Sequence, residues 1–127
     1  MNLEKVVFAF FILLAATLNF GFVYGDIDSP HHHHPWEFVA AFAVNVVATI
    51  LKFGDRTQVG AIHLATSLVA VLQLVAAALV WFFSAPAPGG GMTPATVASV
   101  VSLSAGALLA NVVSVVILIV ETTMQRR

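Results

Sequence analysis

The apolar positions of this chain gather into four long runs, about residues 6–24, 36–53, 59–83 and 94–120, and the charged residues fall at or beyond the edges of those runs. Each run is near or above the ~18–20 residues a helix needs to cross a ~30 Å hydrocarbon layer. None of the four breaks into the strict apolar–polar alternation of a half-buried strand, and the polar positions inside them recur at spacings of three and four. The pattern predicts an all-α membrane protein, an antiparallel four-helix transmembrane bundle in a single domain.

Punctuation between the runs agrees with helix ends. Gly25 and Pro30 close the first helix, and Pro35 opens the second within its first turn. Gly54-Asp55-Arg56-Thr57 is a tight turn that makes the second and third helices neighbours. Pro86, Pro88 and the Gly89–Gly91 run make an irregular third connection, after which Thr93-Pro94 reads as N-cap and first-turn proline. The first run is longer than the apolar core of a secretory signal and no A-x-A-like cleavage site follows it, so it is expected to stay as a span.

Composition then removes function classes. The 127 residues are 60% hydrophobic and 9% charged, and four spans with their connections use nearly all of them, which leaves no length for a soluble catalytic domain. A net charge of −1 offers no basic surface for nucleic acid, and the absence of cysteine removes thiolate chemistry. No nucleophile–base pair stands within one leaflet, so an enzyme is not expected, nor a resident cofactor. Lys5, Lys52, Arg56, Arg126 and Arg127 lie at the two termini and the second loop, while the first and third loops hold no Lys or Arg. By the positive-inside rule both termini are cytoplasmic (N-in, C-in), with Tyr24, Trp36 and Trp81 at the opposite interface. The expected location is a bacterial inner membrane, crossed several times.

Polar stripes within the spans are the first candidate sites. Asn45 and Thr49 share a face of the second helix with Glu37, Ala41, Ala48 and Lys52. The third helix carries His63, Thr66, Ser67 and Gln73, and the fourth carries Ser99, Ser102, Gly106, Ala110 and Ser114, flanked by Ser104 and Asn111. Lipid solvates such faces poorly, so they must look at protein or at water. Two readings stand side by side. Asn45, Thr49, Gln73, Ser102, Gly106 and Asn111 either hold helices together, within one subunit or in a homo-oligomer, or line a pore. Gln73, near mid-span, is expected close to Asn45 and Asn111.

A second cluster, Lys52, Asp55, Arg56, His63 and Glu121, is expected at one level near the cytoplasmic face, either as an ion-pair collar or as a charged mouth. Glu121 is expected to pair with Lys52 or Arg56. No carboxylate lies mid-span, which disfavours carboxylate-based proton antiport. Finally, Asp26, Asp28, His31, His32, His33 and His34 form the one stretch with divalent-metal chemistry, suited to Zn²⁺, Ni²⁺ or Cu²⁺, or else a solvated outer loop.

The block from Leu51 to Gly60, continuing through His63 to Ala70, together with the opening Met1 to Phe8, resembles an uncharacterised family of small bacterial inner-membrane proteins with four helices. That resemblance implies location and topology and brings no catalytic motif. The sequence therefore leaves three functions open. One is a channel-like or transport-related homo-oligomer, the second a non-conducting accessory or scaffold subunit bound to a larger membrane protein, and the third a metal binder through the His-rich loop.

Overall fold

A computed structural model describes residues 3–25, 33–55 and 57–125. It contains four helices, α1 (Leu3–Val23), α2 (Pro35–Lys52), α3 (Gln58–Phe83) and α4 (Pro94–Gln125), and no strand among the described residues. All four are long and apolar enough to cross a bilayer.

Helix ends extend beyond the apolar runs where charge permits. α1 starts at Leu3 and α4 continues to Gln125, past the 6 and 120 that hydropathy marks. Hydropathy marks the stretch that lipid accepts, whereas backbone hydrogen bonding continues into the polar layer until a cap stops it. The starts of α3 and α4 are capped by side chains. Thr57 Oγ1 accepts from the Gly60 N–H at 2.9 Å, and Thr93 Oγ1 accepts from the Thr96 N–H at 3.2 Å, with Pro94 at the first helical position. α2 also begins on a proline, but its N-cap His34 makes no side-chain cap bond. Gly25, at φ 110°, takes the left-handed turn that leads the chain away from α1, a conformation glycine adopts without strain.

Four neighbour contacts arrange the helices in a ring, α1–α2–α3–α4 and back to α1. Each neighbouring pair meets with the start of one helix against the end of the other. Lys5 meets Glu121, Phe22 meets Phe38, Phe38 meets Trp81, and His63 meets Ser114. The bundle therefore has a charged end, with Lys5, Lys52 and Glu121, and an aromatic end, with Phe22, Phe38 and Trp81.

Its exterior is apolar. Phe10, Leu13, Phe20, Val39, Ile50, Leu72, Leu79, Phe82, Phe83, Leu109 and Ile119 are all exposed. So continuous an apolar coat on every helix matches hydrocarbon far better than water. Inside, large side chains concentrate at the two ends. Phe8, Ile12 and Ala48 pack with Leu118 and Val115 at the charged end, while Phe22, Phe38, Leu74, Ala77, Val97 and Val100 fill the aromatic end. Between these two plugs the interior is small and polar.

Candidate functional site: a polar column between two clefts

On α1 the buried positions are Phe8, Ile12, Ala15, Asn19 and Phe22, spaced by three and four, so one stripe of the helix forms its inner face. The same rule sets Ala41, Asn45, Ala48 and Thr49 inward on α2, and Gly60, His63, Ser67, Ala70, Leu74 and Ala77 inward on α3. From α4, Ser104, Ala107, Ala110, Asn111 and Ser114 complete the interior. Polar side chains thus enter from every helix, and Asn19, Asn45, Ser67 and Ser104 are each 0% exposed.

Their heights follow from the contacts that tie the helices together. At the charged end the Phe8 ring lies edge-on to His63 with centroids 4.9 Å apart, and Lys52 Nζ sits 4.3 Å from the Phe8 ring centre. His63 Nδ1 and Ser114 Oγ share a buried hydrogen bond of 2.7 Å, which fixes α3 against α4. Ser67 lies one turn further along α3 and Asn111 one turn back along α4, so they occupy the same next level. Asn45 stands two turns from Lys52, and Asn19 three turns from Phe8, level with Ser104. From Phe8 to Asn19 the column rises roughly 16 Å at ~1.5 Å per residue.

Very little within the column satisfies these groups. Asn45 Nδ2 donates to the Ala41 carbonyl at 2.9 Å and Thr49 Oγ1 to the Asn45 carbonyl at 2.9 Å, so both bond their own helix rather than a neighbour. Among the described residues, Asn45 Oδ1, both amide atoms of Asn19 and of Asn111, Ser67 Oγ, Ser104 Oγ and His63 Nε2 have no hydrogen-bond partner. An unpaired buried polar group costs about 1–3 kcal/mol, which makes a dry column of this kind expensive. The positions around it are alanines, among them Ala15, Ala41, Ala70 and Ala107, which fill little space.

A cleft opens at either end. The charged-end cleft encloses about 1110 Å³ and is lined by Lys5, Phe8, Lys52, Asp55, Gly60 and Glu121 among others. Phe8 is part of its lining, and its ring touches His63, which does not line the cleft. The aromatic-end cleft encloses about 330 Å³, with His33, Pro35, Trp81 and Met92 in its lining. Trp81 packs in turn on Phe22 and Phe38, so an aromatic side chain stands between each cleft and the column.

Charges at the wide mouth are paired. Lys5 meets Glu121 at 3.4 Å and Lys52 meets Asp55 at 3.5 Å, so Glu121 takes Lys5 as its partner instead of Lys52. Arg56, the other expected partner, lies outside the described residues. Asp55 Oδ1 also accepts from the Thr57 hydroxyl at 2.7 Å and the Thr57 N–H at 2.9 Å. Those two bonds, and then Lys52, hold the Asp55 carboxyl below its ordinary range. Gly60 presses against the same carboxylate so closely that a Cβ would collide with it.

The remaining sequence candidates are dispersed. Gln73 is half-buried and lies against Gly106, where an added Cβ would stand 3.2 Å from its amide carbon. Ser102, like Ser99, is exposed on the outside of α4 and does not join Asn45 and Asn111. Residues four apart drift around a helix of 3.6 residues per turn, so the stripe from Ser99 to Ser114 winds from the outer surface into the core. His63 is interior rather than part of a surface collar. In the His-rich segment, His34 is exposed, whereas His33 is buried beside Phe22 and its Nδ1 donates to the Phe22 carbonyl. Asp26, Asp28, His31 and His32 lie outside the described residues, and no group of three or more potential metal ligands gathers among those described. Asn19 was not among the sequence candidates, although its place on the stripe of Phe8, Ile12 and Ala15 marks it as interior.

Comparison with known proteins places this architecture in one family. The chain belongs to a family of unknown function (DUF6394), whose sequence model matches residues 32–122. No curated protein and no solved structure matches the chain.

Proposed function

We propose that this member of the family is a multi-pass protein of the bacterial inner membrane, with both termini cytoplasmic, and that it carries a small polar species through its own four-helix interior. The activity is channel-like or transport-related, not enzymatic. One observation carries the reading. A column of unpartnered amides and hydroxyls, contributed by all four helices, runs between two clefts at opposite ends of an apolar bundle. In hydrocarbon, polar groups in such number are retained where they serve a pathway or a site.

Topology rests on the distribution of Lys and Arg, which puts the charged end and its wide cleft in the cytoplasm. Homo-oligomers fit the same reading. Ser99 and Ser102 expose hydroxyls on the outer face of α4, where a second helix would pack closely against small side chains.

Because the chain has no cysteine, single cysteines report without background. Asn45→Cys, Asn111→Cys and Ser104→Cys are expected to react with a small, water-soluble thiol reagent in native membranes, while Leu72→Cys and Leu109→Cys on the outer face stay inert. Reaction at the outer-face positions alone would end the proposal. A non-conducting accessory or scaffold subunit is the second reading, and the exposed Ser99 and Ser102 favour it, since they suit any partner helix. In that case all three interior cysteines stay unreactive and the protein copurifies with a larger membrane protein.

A further inference from the structure

Within the column, chemistry narrows what can pass. Between the level of Phe8, where Lys52 meets the ring, and that of Asn19, beyond which the Glu37 carboxylate lies against Gly21, the described residues hold no carboxylate and no Lys or Arg. A bare metal cation needs a shell of acceptors, yet the amide N–H groups of Asn19 and Asn111 stand among the acceptors and would face it. A fixed charge for an anion is missing as well. Water fits, because it donates and accepts, and buried waters commonly make two to four hydrogen bonds to groups of this kind.

One residue in the column titrates. His63 is 1% exposed and tied through Nδ1 to Ser114 Oγ, and its Nε2 has no partner. It stands at the junction of two environments, with Phe8 and the charged cleft on one side and Ser67 and Asn111 on the other. We propose that His63 is a proton-relay group at the cytoplasmic end of a hydrated column, and that the species carried is the proton. This rests on the passage proposed above and names its cargo.

The step balances on the ring. A hydronium in the column passes a proton to the Nε2 lone pair, leaving water and a doubly protonated imidazolium. Nδ1–H then gives its proton to Ser114 Oγ as that hydroxyl hands its own to the next water. The ring is left neutral as the opposite tautomer and resets when a bridging water takes the Nε2 proton as it gives one of its own to Nδ1. An imidazole carries one ring nitrogen that donates and one that accepts, which suits it to this exchange. Five charged groups among the described residues line the mouth beside it: Glu4 and Lys5 of α1, Lys52 of α2, Asp55 of the second connection and Glu121 of α4. Lys5 pairs with Glu121, and Lys52 with Asp55. The Phe8 ring touches both Lys52, at the cleft, and the His63 imidazole.

The test uses the full chain in phosphatidylethanolamine–phosphatidylglycerol vesicles holding a pH-sensitive dye, with a potassium gradient and valinomycin setting the potential. Proton flux above that of empty vesicles is expected, with one inflection against pH. His63→Gln, which keeps a hydrogen-bonding side chain beside Ser114, is expected to lose both the flux and the inflection. Ser114→Ala keeps the imidazole and removes its relay partner; its flux is expected to fall, and it decides the matter if His63→Gln does not fold. Ser102→Ala is expected to conduct as the parent does. Flux and inflection unchanged in His63→Gln, or sodium passing as readily as protons, would overturn the proton relay while leaving a passage. Vesicles that show no flux of protons, sodium or potassium and no faster osmotic swelling would overturn both proposals.

Discussion

Lys5 in the first turns of α1 and Glu121 near the end of α4 close the helix ring, their charged atoms 3.4 Å apart across a separation of 116 positions in the chain. The pair borders the wide cleft and joins the first helix to the last, which no loop does. Both side chains keep some exposure, so its contribution to stability is at the modest level of surface pairs, about 0.2–1 kcal/mol. Lys5→Ala and Glu121→Ala are each expected to lower the thermal midpoint in detergent by a few degrees at most. The exchanged pair Lys5→Glu with Glu121→Lys should recover much of the loss. Recovery is the informative readout, since a pair that does not couple would give a double variant as weak as the two losses added together.

A larger and opposite effect is expected in the column. Asn111 is 1% exposed and both its amide atoms lack a protein partner. Leucine has the same branched outline of four side-chain heavy atoms and no polar atom, so Asn111→Leu relieves an uncompensated group and is expected to stabilise the bundle by about 1 kcal/mol. The same change puts an apolar side chain across the column and should reduce proton flux and block labelling at Asn45→Cys. A thermal midpoint that rises while flux falls would mark Asn111 as a residue kept for function at a cost in stability. Should the midpoint drop instead, Asn111 is bonded in the membrane, and its role is structural.

The helices could be read from the sequence because apolar length is a local property, and so are Pro35, Thr93 and Pro94 at their starts. Asn45, Thr49, His63 and Asn111 also stood out, being polar residues within or at the edge of apolar runs. Their grouping was less legible. Whether Ser102 or Ser104 faces inward depends on how α4 is rotated, and that is set by packing against α1 and α3 rather than by spacing along α4. Asn19 forms no polar stripe of its own, since α1 presents a single polar residue on an otherwise apolar inner face. The Lys5–Glu121 pair needed the knowledge that α1 lies beside α4, which nothing local encodes.

Gly106 tests how closely α3 and α4 approach. An added Cβ would meet the Gln73 amide at 3.2 Å, a contact a flexible half-buried side chain can relieve by moving slightly. Gly106→Ala is therefore expected to be nearly neutral. Gly106→Leu forces the helices apart and should cost about 1–3 kcal/mol, the usual range for overpacking. Comparing the two by thermal unfolding separates close packing from mere helix propensity. If alanine already costs as much as leucine, Gln73 is held rigidly by contacts beyond Gly106.

Acid should loosen the second connection through Asp55. Its carboxyl accepts two bonds from Thr57 and faces Lys52, and these hold its folded pKa below the unfolded value of 3.8. A depressed carboxylate adds stability that is fully present above the unfolded pKa and is lost as pH falls through the folded one. Because the carboxylate is partly exposed to water, the effect is expected to be small and weakened further by salt. The expected signature is a difference between the parent and Asp55→Asn. The parent should unfold at a higher temperature above about pH 5, and its advantage should shrink steadily below about pH 4, where an ordinary aspartate takes up its proton. An advantage that persists undiminished at low pH would assign the stabilisation to the shape of the Asp55–Thr57 turn and not to its charge.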